Sequence, residues 1–167
     1  MVKRIDEDKI RADILDLKER EVDVIVVSMH WGNEYQRVPT DYQVELGHKM
    51  VDWGANIVLG SHPHVIQRTE IVEKDNRENF IIYSMGNFIS NQSYESMGNS
   101  YTEDGVMVKI QVEKDHKNQL TLIKNVDLIP TWVYKYWESG KDHYRILPAK
   151  EILDGELDLN LSEKTLK

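Results

Sequence analysis

Two stretches decide the fold: Val24-Ile25-Val26-Val27-Ser28-Met29-His30 and Asn56-Ile57-Val58-Leu59-Gly60-Ser61-His62-Pro63-His64. Each begins with a short run of apolar, mostly β-branched residues, the pattern of a strand buried on both faces. Val24 to Val27 is predicted to be one strand and Asn56 to Leu59 the other. Between them, after a loop with Pro39, Thr40-Asp41-Tyr42-Gln43 has the Thr-x-x-Gln form of a helix capping box. Leu46, Met50 and Trp53 fall on one face of the helix it opens, with Val44 and Val51 beside them. Gly54 stands where a C-terminal cap glycine belongs. Strand, helix and strand form a β-α-β unit, so the strands are expected to be parallel with a right-handed crossover.

Upstream, Asp6 to Arg20 reads as an amphipathic helix, with Ile10, Ile14 and Leu17 at helical spacing. Downstream the pattern changes. Ile66 to Val72 and Phe80 to Tyr83 read as strands joined by the charged turn Glu73-Lys74-Asp75-Asn76-Arg77. Val106 to Val112 and Leu120 to Ile129 read as a hairpin around Lys114-Asp115-His116-Lys117-Asn118. Asn91 to Gly105, rich in Ser, Asn and Gly, reads as a mobile loop. The fold class is therefore α/β, a β-α-β unit followed by mainly antiparallel strands. Residues 1–147 form the domain and 148–167 an acidic tail with a short helix.

At 167 residues the chain is one domain, or a piece of a larger one. Lysine plus arginine total 21 against 29 aspartate plus glutamate, a net charge of −8, which argues against nucleic-acid binding. An anionic substrate would need a local cation, such as a metal, against that field. Cysteine is absent, so thiolate sites, disulfides and cysteine nucleophiles are excluded and histidine and carboxylate remain as metal ligands. No apolar run approaches a membrane span, and the start Met-Val-Lys-Arg-Ile-Asp-Glu-Asp has no signal-peptide pattern. The chain as it stands reads as soluble; a fragment of an anchored protein would read the same way.

The chemistry sits at the two strand ends. His30 follows the first strand; His62 and His64 follow the second. Parallel strands put their C-terminal ends on one rim of a sheet, where open α/β sheets bind ligands. Neighbouring strands lie about 4.8 Å apart, close enough for three imidazoles to converge on a metal ion. Pro63 biases His62 toward an extended backbone, and residues two apart in an extended segment point to one side. His30 alone reads equally as a hydrogen-bonded structural histidine, and His-x-His alone is a weak signal; their shared rim makes the metal site the expectation. Glu34 is either a carboxylate holding an imidazole, a general acid/base, or a solvated loop charge. Asn87, in Tyr83-Ser84-Met85-Gly86-Asn87-Phe88, is either a donor to substrate or ligand or a turn asparagine. His48 is expected solvent-facing on its helix, and His116 and His143 exposed in polar turns. The run Trp132-Val133-Tyr134-Lys135-Tyr136-Trp137 reads as sheet packing before a sugar or peptide platform.

Taken in order, His30-Trp31-Gly32-Asn33-Glu34-Tyr35, Gly54 to Val65 and Tyr83 to Ile89, with Leu128-Ile129-Pro130 later, resemble the bacterial capsule-synthesis protein family typified by the poly-γ-glutamate synthesis protein CapA/PgsA. The resemblance covers about residues 10 to 130. That family is similar to calcineurin-like metallophosphoesterases, so the likeness implies half of a two-sheet sandwich with a two-metal centre at strand ends. It implies His30 and His62 on one metal and His64 on the other, the ion being manganese, zinc or iron. The family's early Gly-Asp strand end, Asn-Leu-Glu and Asn-Asn-His segments do not occur here, so the chain looks like the C-terminal half of the family domain. Missing sheet partners imply an exposed edge open to dimerisation or strand exchange.

The resemblance implies a setting in capsule polymer synthesis, with the polymer or its synthesis machinery as partner. It implies an extracytoplasmic, cell-surface location, often through an anchor segment not found here. Two functions follow: a metal-dependent hydrolase that is incomplete alone, with Glu34 and Asn87 orienting substrate, or a non-catalytic scaffold or polymer-binding component.

Overall fold

Asp6 starts the first helix, α1 (Glu7–Glu19), by accepting a hydrogen bond from the Lys9 amide at 3.0 Å. Glu7 and Asp8 place negative charge at its positive end. The computed structural model describes residues 5–118 and 120–156. Residues 1–4, Gln119 and residues 157–167, the end of the expected acidic tail, lie outside them.

The β-α-β unit forms as its pattern dictates. β1 (Val26–His30) and β2 (Ile57–Ser61) pair in parallel, with His30 opposite Ser61. Between them lies α2 (Asp41–Trp53), whose capping box makes both its bonds: Thr40 Oγ1 accepts from the Gln43 amide and Gln43 Oε1 from the Thr40 amide. Gly54 ends the helix at φ 128°. β3 (Thr69–Lys74) and β4 (Arg77–Ile82) form a hairpin whose turn residues Asp75 and Asn76 both have positive φ, a twist that matches the strands. β4 also runs parallel to β2, giving the sheet order β1-β2-β4-β3.

A second, antiparallel sheet contains β5 (Asp104–Asp115), β6 (Leu120–Glu138) and β7 (Lys141–Pro148), in that order. The expected hairpin is there, with a register shift at Gln111/Val112, but β7 was not foreseen. The turn at Ser139 and Gly140, both at positive φ, sends the chain back along the aromatic run. His143, expected in a polar loop, lies in β7 with its ring stacked 5.2 Å from that of Tyr136. The segment read as a mobile loop carries ordered turns: α3 (Tyr94–Met97), capped by Ser93 and Ser96, and a 3-10 turn over Ser100–Thr102, capped by Asn99. Its polar residues cap helices rather than solvate a loop. After β7 comes the short tail helix, α4 (Ala149–Leu153).

The first sheet is covered on both faces, but unevenly. Helices α1 and α2 bury Ile14, Leu46, Met50 and Val51 against Met29, Val58, Ile81 and Tyr83. Full burial of a side chain such as Leu46 or Met50 stabilises by about 1.5–3 kcal/mol. On the other face Ile57, Phe80 and Ile82 meet Val106 of the second sheet. That sheet lies over β2 and β4, so β1 is not buried on both faces as predicted: Val26 is 52% exposed and β1 forms a sheet edge.

His48, half-exposed on α2, is tied to the sheet rather than free in solvent. Its Nε2 lies 2.8 Å from Glu70 Oε1, while the Tyr83 hydroxyl and Arg68 donate to Glu70 Oε2 at 2.9 and 2.8 Å. Burial works to raise the Glu70 carboxyl, but the bonds from His48, Tyr83 and Arg68 outweigh it and hold it below the usual range. A depressed carboxylate adds stability above its unfolded value of about 4.3, and that stability is lost as pH falls through the lower folded value. Glu70→Gln is therefore expected to cost about 1–2 kcal/mol at about pH 7 and much less near pH 3. Urea melts at both pH values check this; an equal cost at both would exclude the carboxylate as the cause.

Candidate metal centre

His30 is the last residue of β1 and His62 directly follows β2, so parallel pairing alone sets them side by side. The ring centroids of His30 and His62 are 4.5 Å apart, and those of His62 and His64 5.8 Å. The three imidazoles converge on one rim. Glu34 joins them: its Oε1 lies 3.9 Å from His64 Nε2, and single donor atoms of Glu34, His62 and His64 all fall within 4.8 Å of one another. Metal–ligand bonds of about 2.0–2.2 Å span gaps of this size once side chains close in slightly. Two imidazoles and a carboxylate are a donor set that suits zinc, manganese or iron.

The loop carrying Glu34 is fixed from below. Gln43, fully buried, donates from Nε2 to Gln67 Oε1 at 2.9 Å, and Gln67 donates to the Gln36 carbonyl at 2.7 Å. The Tyr35 amide donates to the Pro63 carbonyl at 2.7 Å, which staples the Glu34 loop to the histidine turn. Trp31, buried beside His30, donates from Nε1 to the Tyr83 carbonyl at 2.9 Å.

The backbone at the site is not extended as Pro63 suggested. His62 has φ 99° and His64 φ 60°, and Tyr35 across from them has φ 64°. The turn around Pro63, not strand alternation, aims the two rings. Non-glycine residues in such conformations cost on the order of 1–3 kcal/mol each and gather at functional sites. Burial, with His30 and His64 nearby, pushes the His62 pKa down against the opposing pull of Glu34. His62 is thus held as the neutral imidazole, the form that binds metal.

Asn87, read from the sequence either as a donor to substrate or ligand or as a turn asparagine, is engaged within the protein. Its Nδ2 donates to the Thr102 carbonyl at 2.9 Å and Gln92 Oε1 at 3.1 Å, and its Oδ1 lies 2.9 Å from His64 Nδ1. Two neighbours went unread. Tyr35 sets its ring 6.0 Å from that of His64, nearly parallel to it, and its hydroxyl accepts from Gln92 Nε2 at 3.4 Å. Tyr35 stands inside the quoted His30-to-Tyr35 stretch, but only the turn beside Glu34 shows where it goes. Gln92 carried no signal. His116 is exposed, as expected.

The aromatic run stacks on itself. Trp132, Tyr134, Tyr136 and His143 follow one another at centroid spacings of 5.6, 5.3 and 5.2 Å, and the Arg145 guanidinium lies 5.0 Å over Tyr136. Ring faces spent on each other and on a cation are not a free platform. A cavity of about 420 Å³, lined by Lys18, Asp23, Asn56 and Arg77 among others, lies at the opposite ends of the strands from the histidines.

Among the described residues, no helix is long and apolar enough to cross a membrane. Residues 1–92, which include all the site residues named above as far as Gln92, match the family model described as bacterial capsule synthesis protein PGA_cap. The chain is similar to the capsule biosynthesis protein CapA of Bacillus anthracis, 37% identical over 94 residues, which are 56% of this chain and 21% of that protein. It is also similar to the PGA biosynthesis protein CapA of Bacillus subtilis (strain 168), 35% identical over 96 residues, 58% of this chain and 23% of that protein. The matched stretch thus spans under a quarter of either relative. With the family match covering more than half of its residues, the chain belongs to the bacterial capsule synthesis protein family.

Proposed function

We propose that this chain is part of a capsule-biosynthesis protein acting at the cell surface, and that its histidine rim holds a divalent metal in half of a metallophosphoesterase-like sandwich. One observation carries the reading: donor atoms of Glu34, His62 and His64, brought together from two stretches of chain, lie within 4.8 Å of one another, and the His30 ring lies 4.5 Å from that of His62. His62, His64 and Glu34 would hold one ion, with His30 against His62 for a second. A bound ion there supplies Lewis-acid polarisation of a phosphoryl or carbonyl oxygen. The protein's own part is to keep His62 neutral, hold the Glu34 loop rigid and strain the histidine turn into place. The reaction class this favours is metal-dependent hydrolysis.

A second reading, a non-catalytic component that binds the capsule polymer, has its own support. Among the described residues the donor group contains one carboxylate, Glu34, where a pair of metal ions calls for bridging charge. The edge of β1, unpaired among the described residues and next to His30, is where a further strand would pair and bring further donors, from the rest of a longer chain or from a second copy.

Protein purified without a histidine tag is expected to retain zinc or manganese after dialysis, and His64→Ala to lose it. Equal metal content in the two would end the metal-centre reading. Turnover of a phosphodiester, a phosphomonoester or a γ-glutamyl peptide, abolished by His30→Ala, would establish the hydrolase. Metal bound without turnover of any of the three would favour the polymer-binding component.

A further inference from the structure

Asn87 sits at the point where three segments meet: the histidine turn, the 3-10 turn at Thr102 and the start of β5. It is 9% exposed. Its backbone is seated by two glycines. Gly86 takes φ 70°, and at Gly105 an added Cβ would lie 2.1 Å from the Asn87 carbonyl oxygen, so only glycine admits the contact. The Asn87 amide donates to the Asp104 carbonyl at 3.2 Å.

The orientation of the Asn87 side chain follows from its partners. One corner faces the backbone carbonyls of Thr102 at 2.9 Å and His64 at 3.4 Å. A backbone carbonyl only accepts, so that corner is the NH2 group. The other corner is then the oxygen, which also only accepts. It lies 2.9 Å from His64 Nδ1, so that nitrogen must carry the proton. In the neutral ring the lone pair is then on the remaining nitrogen, Nε2, which is the one that faces Glu34 at 3.9 Å. A ring free in water would sample both tautomers.

We infer that Asn87 is a positioning residue that locks His64 in the Nδ1–H tautomer and so presents Nε2 to a metal shared with Glu34. The inference rests on the metal-centre reading for its purpose, but not for its test. The role differs from that of a ligand: Asn87 acts through His64. Partners of this kind commonly alter metal affinity by about 10- to 100-fold.

Long-range proton–nitrogen NMR of the metal-free protein, at a pH of about 8 where histidine is neutral, reads the tautomer directly. His64 is expected as the Nδ1–H form, and an Nε2–H form or an even mixture would overturn the inference, whatever the protein does with metal. Two variants separate positioning from mere stability. Asn87→Asp keeps an acceptor for Nδ1–H but loses the donation to Thr102, so its stability should fall while tautomer and zinc affinity hold. Asn87→Ala should lose the fixed tautomer and about 10- to 100-fold in zinc affinity. Zinc affinity that falls equally in both variants would show a purely structural role. Failure of the metal reading appears elsewhere, as zinc binding unaffected by His64→Ala.

Discussion

His62→Gly is expected to be about 1 kcal/mol more stable than His62→Ala, while both lose metal affinity by more than about 100-fold. At most positions the order is the reverse, because glycine costs about 0.5–1 kcal/mol of backbone entropy relative to alanine. At φ 99° the Cβ of alanine is strained and glycine is not, which inverts the sign. Urea melts of the metal-free variants give the first number and zinc titration the second. Alanine equal to or better than glycine would show that the turn is not strained. Zinc affinity unchanged in both would show that His62 is no ligand. Together they test whether the protein sacrifices stability to aim this ring.

Gly60→Ala is expected to destabilise by about 3 kcal/mol or more, enough to lower the melting temperature of a chain this size by roughly 6–12 °C. A Cβ there would lie 2.0 Å from the Tyr83 carbonyl oxygen and 2.6 Å from Trp31 Nε1. Neither can retreat, because the Trp31 indole donates to that same carbonyl and the Met85 amide donates to the Gly60 carbonyl. Gly47→Ala is the contrast. Its Cβ would meet Ile81 and Tyr83 side chains at 3.4 Å, and alanine favours the helix, so a change within about 1 kcal/mol is expected. Thermal melts of the two variants compare a blocked backbone approach with a tolerable one; similar small losses would disprove the close approach at Gly60.

The β-α-β unit and the histidine rim were legible because each rests on local signals. The Thr40–Gln43 capping box, the Gly54 cap and the two apolar runs all point to parallel strands, and parallel strands bring His30 to His62. What failed depends on contacts far apart in sequence. Val26 looks like core in its run, yet the second sheet stops short of β1 and leaves it exposed. β7 was hidden because it opens on Lys141-Asp142-His143 and carries no alternating apolar pattern; it is held by pairing with the aromatic run, with Leu147 buried near its end. The conformation at His62 and His64 was misread because Pro63 argues for extended backbone, while the staple from Tyr35 to Pro63 fixes a turn. Glu34 was left open because no local pattern tells a ligand from a loop charge.

The position of β1 has a consequence for motion. Among the described residues, His30 rides on a strand with one hydrogen-bonded neighbour, while His62 follows a strand held on both sides. Rim strands fray before central ones, so the geometry of the cluster breathes mainly through His30. An ion gripped by both rings would rivet the fraying strand to its stable neighbour, and slow amide exchange along Val26–His30 would be the mark it leaves.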